Sequence, residues 1–209
     1  MKLANKFTFV RIVIAPVFLL LYYIPIWTGL FPRLSMCIAI PLLIFGEFTD
    51  FLDGYYARKL NDVSDFGKLF DPFADVFLHL SSFVCYMSSY GVLVTGSDGN
   101  PVCSGYLIPA LFILVMWREF GQNFLRMVAA KQGIAIGARK GGKVKTVVYI
   151  ISSFYALFLE TLVRFGAVPE CFGILKMILT GLFVICIILS YASFIDYLIH
   201  FGKNLKSAQ

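Results

Sequence analysis

Asp50-Phe51-Leu52-Asp53-Gly54-Tyr55-Tyr56-Ala57-Arg58, followed eight residues later by Gly67-Lys68-Leu69-Phe70-Asp71-Pro72-Phe73-Ala74-Asp75, sets four aspartates beside apolar runs long enough to cross a bilayer. A carboxylate at membrane depth is costly unless something pairs with it, so a cluster of them is by default a functional site. On helices, Asp50 and Asp53 are spaced i, i+3 and Asp71 and Asp75 are spaced i, i+4, so each pair shares one face. Gly54, Asn61, Asp62 and Gly67 lie among the aspartates and suit a turn that folds the second helix back on the first.

Charge decides what such a cluster requires. Four ionised carboxylates in one pocket repel each other, and two divalent cations would neutralise them. Oxygen-only ligands favour hard ions, magnesium or manganese, over zinc. A metal pair roughly 3.5–4 Å apart is suited to displacement at phosphorus. Solvated helix ends at a membrane surface would explain any two of these aspartates, and explain two facing pairs beside Gly54 and Ala57 much less well.

The pattern Asp50-x-x-Asp53-Gly54-x-x-Ala57-Arg58…Gly67-x-x-x-Asp71-x-x-x-Asp75 resembles the signature of the CDP-alcohol phosphatidyltransferases, with all eight constrained positions filled. The resemblance implies that Asp50, Asp53, Asp71 and Asp75 hold two divalent cations (Mg2+ or Mn2+) against a lipid-linked diphosphate, and that Asp75 is the catalytic base. It further implies that Gly54 and Ala57 let the nucleotide of CDP-diacylglycerol lie against the second helix. Arg58 would hold the nucleotide or its diphosphate, and Gly67 would keep the third helix close to the same ligand.

Composition sets the class. The chain has 209 residues, 59% hydrophobic and 14% charged, with mean hydropathy +0.83, against about 25% charged in soluble domains. This describes an all-α integral membrane protein forming one membrane domain over 1–209, without room for a separate soluble domain. Six transmembrane spans are expected at about 11–30, 34–57, 67–94, 105–130, 143–164 and 172–200. The runs are too long and unbroken for barrel strands. Asn5 to Arg11 suits a short interfacial helix before the first span. That first run is too long for a signal peptide and lacks a small-residue cleavage site before Trp27, so it reads as an uncleaved anchor.

Lys2, Lys6, Arg11, Arg58, Lys59, Lys68, Arg126, Lys131, Arg139, Lys140, Lys143, Lys145, Lys203 and Lys206 cluster on one side of this topology. The other side keeps Arg33, Arg164 and Lys176. That asymmetry predicts a multi-pass protein of the cytoplasmic membrane with both termini and the aspartates facing the cytoplasm. It accounts for most of the +6 net charge, leaving nothing to suggest nucleic acid, while some of the cations suit anionic membrane lipids. The five cysteines match no zinc spacing. Cys103 and Cys171 fall on the far side, where a disulfide is permitted but not expected.

Arg118 interrupts the apolar run from Leu107 to Trp117 and should face protein or water rather than lipid. It either pairs with Glu119 or, together with Arg126 two turns on, receives an anionic substrate, for which arginine's planar fork is suited. Gly141-Gly142-Lys143-Val144-Lys145-Thr146 then opens the fifth span, where Lys143 and Lys145 are further phosphate candidates. This is not a Walker A loop, because Val144 follows Lys143. The arrangement is similar to the bacterial phosphatidylglycerophosphate synthase branch of the family, which implies sn-glycerol 3-phosphate as acceptor and Arg118, Arg126 and Lys143 as its phosphate ligands. Thr8 and Arg11 match an N-x-x-T-x-x-R opening found in the family. Val76 and Tyr149 depart from the Lys and Gln usual in that branch. The resemblance runs from Asn5 to Thr146, with the last two spans compatible, and implies a homodimer. His79, i+4 from Asp75, reads as a packing residue, and His200 as interfacial.

Other classes remain open at this point. A same-family transferase could use inositol phosphate as acceptor. A cation transporter could use the carboxylates as an ion path but has no need of Arg118, Arg126 and Lys143. An intramembrane aspartyl protease needs a single dyad, and its G-x-G-D sequence is absent.

Overall fold

The computed structural model describes the backbone of residues 3–59, 65–90, 93–95, 101–103, 105–131 and 140–207, and the side chains of 6–50, 52, 67, 69–90, 105–131 and 144–199. Among the described residues there are six helices: α1 Leu3–Thr28, α2 Pro32–Lys59, α3 Asp65–Cys85, α4 Pro109–Lys131, α5 Lys140–Phe165 and α6 Phe172–Ser207. Prolines open α2 and α4 at the first helical position, where the missing N–H would have no partner in any case. Gly29 closes α1 at φ +70°, its N–H bonded to the Pro25 carbonyl. Gly166 closes α5 at φ +72°, with N–H bonds from Gly166 to Val163 and from Ala167 to Leu162 that satisfy the last carbonyls.

α1 packs on α2 and α3, and α6 on α5 and α4; contacts of α2 with α5 and of α3 with α4 and α5 join the two groups. The core is lined by Ile14, Phe18 and Tyr22 of α1, Met36, Ala39 and Leu43 of α2, and Leu179, Phe183 and Cys186 of α6, spaced one or two helical turns apart. Phe83 sits at its centre, with ring centroids 5.2 Å from Tyr149 and 5.4 Å from Phe183. The outward faces are apolar as well: Val13, Val17, Leu20 and Ile24 on α1, and Ile174, Met177, Ile185 and Ile188 on α6. Helices apolar on every side suit a lipid surround.

Helices α1, α2, α5 and α6 each contain a segment long and apolar enough to cross a membrane: Lys6–Thr28, Pro32–Asp50, Val144–Phe165 and Phe172–Ile199. α3 and α4 carry the charges of the candidate site and fall short of that apolarity, although 21 and 23 residues make each roughly 32–35 Å long, about a hydrocarbon core.

Two expectations are corrected. Asn5 to Arg11 forms the first turns of α1 rather than a separate interfacial helix, because neither Gly nor Pro interrupts the chain before Pro16. The third span stops at Cys85, not 94. The chain turns there because the Tyr86 carbonyl accepts the N–H groups of both Tyr106 and Leu107, at 2.7 and 2.9 Å. A short antiparallel hairpin follows, β1 Leu93–Thr95 with β2 Pro101–Cys103, a small insertion in a fold otherwise built of helices. Gly105 enables this return, since a Cβ there would lie 2.0 Å from the Met87 carbonyl oxygen. Cys171 is a free thiol, and the side chain of Cys103 lies outside the described residues.

At this end of the bundle, away from the aspartates, Glu160 and Arg164 of α5 have no side-chain exposure. Glu160 accepts hydrogen bonds from Ser89, Tyr106, the Tyr90 N–H and Arg164. Arg164 also donates to Ser35 Oγ of α2 at 2.7 Å and to the Tyr22 carbonyl of α1 at 2.8 Å. A buried ion pair so completely bonded ties α1, α2 and α5 to the segments flanking the hairpin.

Candidate active site

Arg11, three residues after the buried Thr8 on α1, reaches between α2 and α3. One terminal nitrogen donates to Asp50 Oδ1 and the other to Asp71 Oδ1. The Arg11 side chain is 1% exposed while Asp50 and Asp71 are 42% and 43% exposed. The arginine therefore forms the floor and the two carboxylates the rim. Asp75, one turn beyond Asp71, places Oδ1 3.2 Å from His79 Nε2. The other ring nitrogen of His79 faces Glu47 Oε1 of α2 at 3.7 Å. Gly67 opens the same helix and is half-buried.

Asp53, Gly54, Ala57 and Arg58 fall on the last turns of α2, and Lys143 on the first turn of α5; beyond their helical backbone they lie outside the described residues. Among the described residues no group of three or more His, Cys, Asp or Glu side chains assembles as a metal site. Asp50 and Asp71 nevertheless converge from two helices on a single cationic group, Arg11. Their oxygen-only chemistry suits a hard divalent ion.

A second cluster lies between α4, α5 and α6. Arg118 donates from Nε to the Ser190 carbonyl at 2.9 Å and from a terminal nitrogen to Glu119 Oε1 at 2.8 Å. The same Glu119 oxygen accepts Lys145 Nζ at 2.7 Å and the Tyr149 hydroxyl at 3.0 Å. Tyr149 also meets Ser190 Oγ at 3.0 Å, and Lys145 Nζ lies 4.7 Å from the Tyr149 ring centre. Arg118, Glu119, Lys145, Tyr149 and Ser190 are all buried; Arg126, two turns on, is half-buried. Of the two alternatives raised for Arg118, the structure shows the pairing with Glu119, and the same carboxylate oxygen also holds Lys145.

The clusters touch. The His79 ring packs edge-on against Tyr149, centroids 5.9 Å apart and planes at 88°. His79, treated from the sequence as packing, therefore joins the aspartates to the basic cluster. Its i+4 spacing from Asp75 was the available signal. Glu47 sits three residues before Asp50, and Glu119 beside Arg118; each is a carboxylate inside an apolar run, which is itself a signal. Ser190 had none, being one serine in a long apolar helix. Tyr149, a departure from the family pattern, takes a defined place here as a hydrogen-bond donor to Glu119.

A model of the CDP-alcohol phosphatidyltransferase family matches residues 1–192, extending past Thr146 through much of α6. A CDP-diacylglycerol–glycerol-3-phosphate 3-phosphatidyltransferase of Treponema pallidum (strain Nichols) is 33% identical over 213 residues, covering 99% of this chain and 92% of its own length. A protein of the same name from Bacillus subtilis (strain 168) is 36% identical over 72% of this chain and 74% of its own. One from Rickettsia typhi is 33% identical over 69% and 70%. With its aspartate motif carried on α2 and α3, the chain belongs to the CDP-alcohol phosphatidyltransferase family.

Proposed function

We propose that the protein transfers the phosphatidyl group of CDP-diacylglycerol to sn-glycerol 3-phosphate, giving phosphatidylglycerophosphate and CMP. The observation that carries this reading is the contact between an aspartate site and a buried pair of cations, Arg118 and Lys145. A lipid diphosphate requires the first, and an acceptor that is itself a phosphate monoester requires the second. Relatives bearing the name of this activity align over nearly the whole chain.

In this reading Asp50, Asp53, Asp71 and Asp75 hold Mg2+ or Mn2+, which when bound neutralises the diphosphate and lowers the pKa of the acceptor hydroxyl. Arg58 and the small residues Gly54, Ala57 and Gly67 seat the nucleotide. Arg118, Arg126, Lys143 and Lys145 receive the acceptor phosphate. The acceptor hydroxyl attacks the phosphorus that bears diacylglycerol, and Asp75 takes its proton. The new P–O bond replaces the bridging P–O bond, and CMP leaves. Such displacement depends mainly on positioning and charge stabilisation, which buried arginine and lysine supply. Arg11 and Thr8 shape the floor of the aspartate site. The charge asymmetry supports six spans in the cytoplasmic membrane with this site facing the cytoplasm, and the resemblance supports a homodimer.

The deciding experiment is CMP release by purified protein with CDP-diacylglycerol and labelled acceptors. Glycerol 3-phosphate should be used in preference to inositol phosphate, inositol and serine. Preference for inositol phosphate would keep the family and replace the acceptor; no CMP release with any of them would overturn the reading.

A further inference from the structure

We infer that Glu119 is a positioning residue for the acceptor phosphate: its one carboxylate oxygen gathers Arg118 of α4 and Lys145 of α5 onto a single point, and Tyr149 anchors that point to α6. The inference rests on the acceptor role proposed above for Arg118 and Lys145.

Two cations brought together inside a helix bundle repel strongly, because few water dipoles screen them. Each would otherwise turn toward the nearest water or lipid phosphate. Glu119 Oε1 removes that freedom by accepting from both, at 2.8 and 2.7 Å. The Tyr149 hydroxyl, 3.0 Å from the same oxygen, also meets Ser190 Oγ at 3.0 Å, and Arg118 Nε holds the Ser190 carbonyl. Three helices thus determine where the two cations stand. The charge sum matters as much as the geometry. Arg118, Lys145 and Glu119 together carry one net positive charge, which leaves the cluster attractive to an anion.

Glu119 also differs from the buried carboxylate at the opposite end of the bundle. Glu160 accepts from one cation, Arg164 of its own helix, and from the backbone N–H of Tyr90 and the hydroxyls of Ser89 and Tyr106 that flank the hairpin. All three donors to Glu119 are side chains, and two are cations. Through Tyr149 the cluster abuts His79 and so the aspartate site.

The test measures KM for glycerol 3-phosphate, KM for CDP-diacylglycerol, kcat and thermal stability in detergent for Glu119→Gln, Glu119→Asp and Tyr149→Phe. Glu119→Gln keeps the shape and loses the charge, and should raise the acceptor KM about tenfold or more while the lipid KM moves less than about twofold. Glu119→Asp should recover part of that loss. Tyr149→Phe should raise the acceptor KM by about two- to fivefold, again without moving the lipid KM. Glu119→Gln joined to Lys145→Met removes the ion pair as a unit. It should leave the acceptor KM raised, because Lys145 itself binds. Recovery of the normal acceptor KM in that double variant, or parallel changes in both KM values with a fall in stability, would make Glu119 a structural counter-ion and overturn the inference. Should Glu119→Gln not fold, an unchanged acceptor KM in Tyr149→Phe overturns it. Wild-type protein that ignores glycerol 3-phosphate would defeat the acceptor reading, and the inference with it; wild-type turnover with unmoved variants would defeat the inference alone.

Discussion

His79 Nε2 stands 3.2 Å from the carboxylate of Asp75, one turn along α3, with Glu47 facing the other ring nitrogen. A carboxylate packed beside a buried ring has fewer orientations than one on a free helix face, and its aim is what a reacting hydroxyl would feel. Asp75→Asn should lower kcat by roughly 10²–10⁴-fold while nucleotide-lipid binding persists. His79→Ala should lower kcat by about 10–100-fold with little change in either KM. Near-normal turnover of Asp75→Asn in a CMP-release assay would remove Asp75 as the base.

Arg118→Ala removes one of the two cations on Glu119. The expected outcome is a rise of about tenfold or more in the glycerol 3-phosphate KM, well beyond any change for CDP-diacylglycerol. Steady-state kinetics with each substrate varied in turn checks it; equal effects on both would make Arg118 structural.

Chelation with EDTA should abolish turnover, and added magnesium or manganese should restore it. Calorimetric titration of the stripped protein with manganese supplies a second readout, since Asp50→Asn and Asp71→Asn should each weaken binding. Turnover that persists after complete metal removal would contradict the two-ion reading.

At the other end of the bundle, Arg164→Met leaves Glu160 as an uncompensated buried charge. Breaking such a pair costs about 3–5 kcal/mol, which should appear as a large fall in Tm in detergent. Joining Glu160→Gln to Arg164→Met should restore much of it, because a neutral pair leaves no lone charge. Thermal unfolding of the three proteins separates these outcomes; a single variant as stable as wild type would deny the clasp its role.

The helices were legible because each is written in consecutive residues. Pro32 and Pro109 start helices, Gly29 and Gly166 end them, and the long apolar runs between need no partner to be recognised. One misplacement came from a distant contact and the other from continuity along the chain. The third span ends early because Tyr106 and Leu107 return to the Tyr86 carbonyl, across the whole hairpin segment. The N-terminal turns merge with α1 because nothing local interrupts them, although their mixed polarity suggested a separate element.

From sequence alone came the membrane class, the run of helices, the four aspartates and the family they mark. Those properties reside in composition and in spacings of three or four residues, which a helix turns directly into shared faces. Tertiary structure alone decided that Arg11 bridges Asp50 and Asp71, that His79 meets Tyr149, and that Glu119 gathers Arg118 and Lys145. Lys145 is 26 residues from Glu119, and Arg164 is 142 from the Tyr22 carbonyl it holds. Which buried charge meets which is set by how whole helices pack, and that packing leaves no periodic trace in the chain.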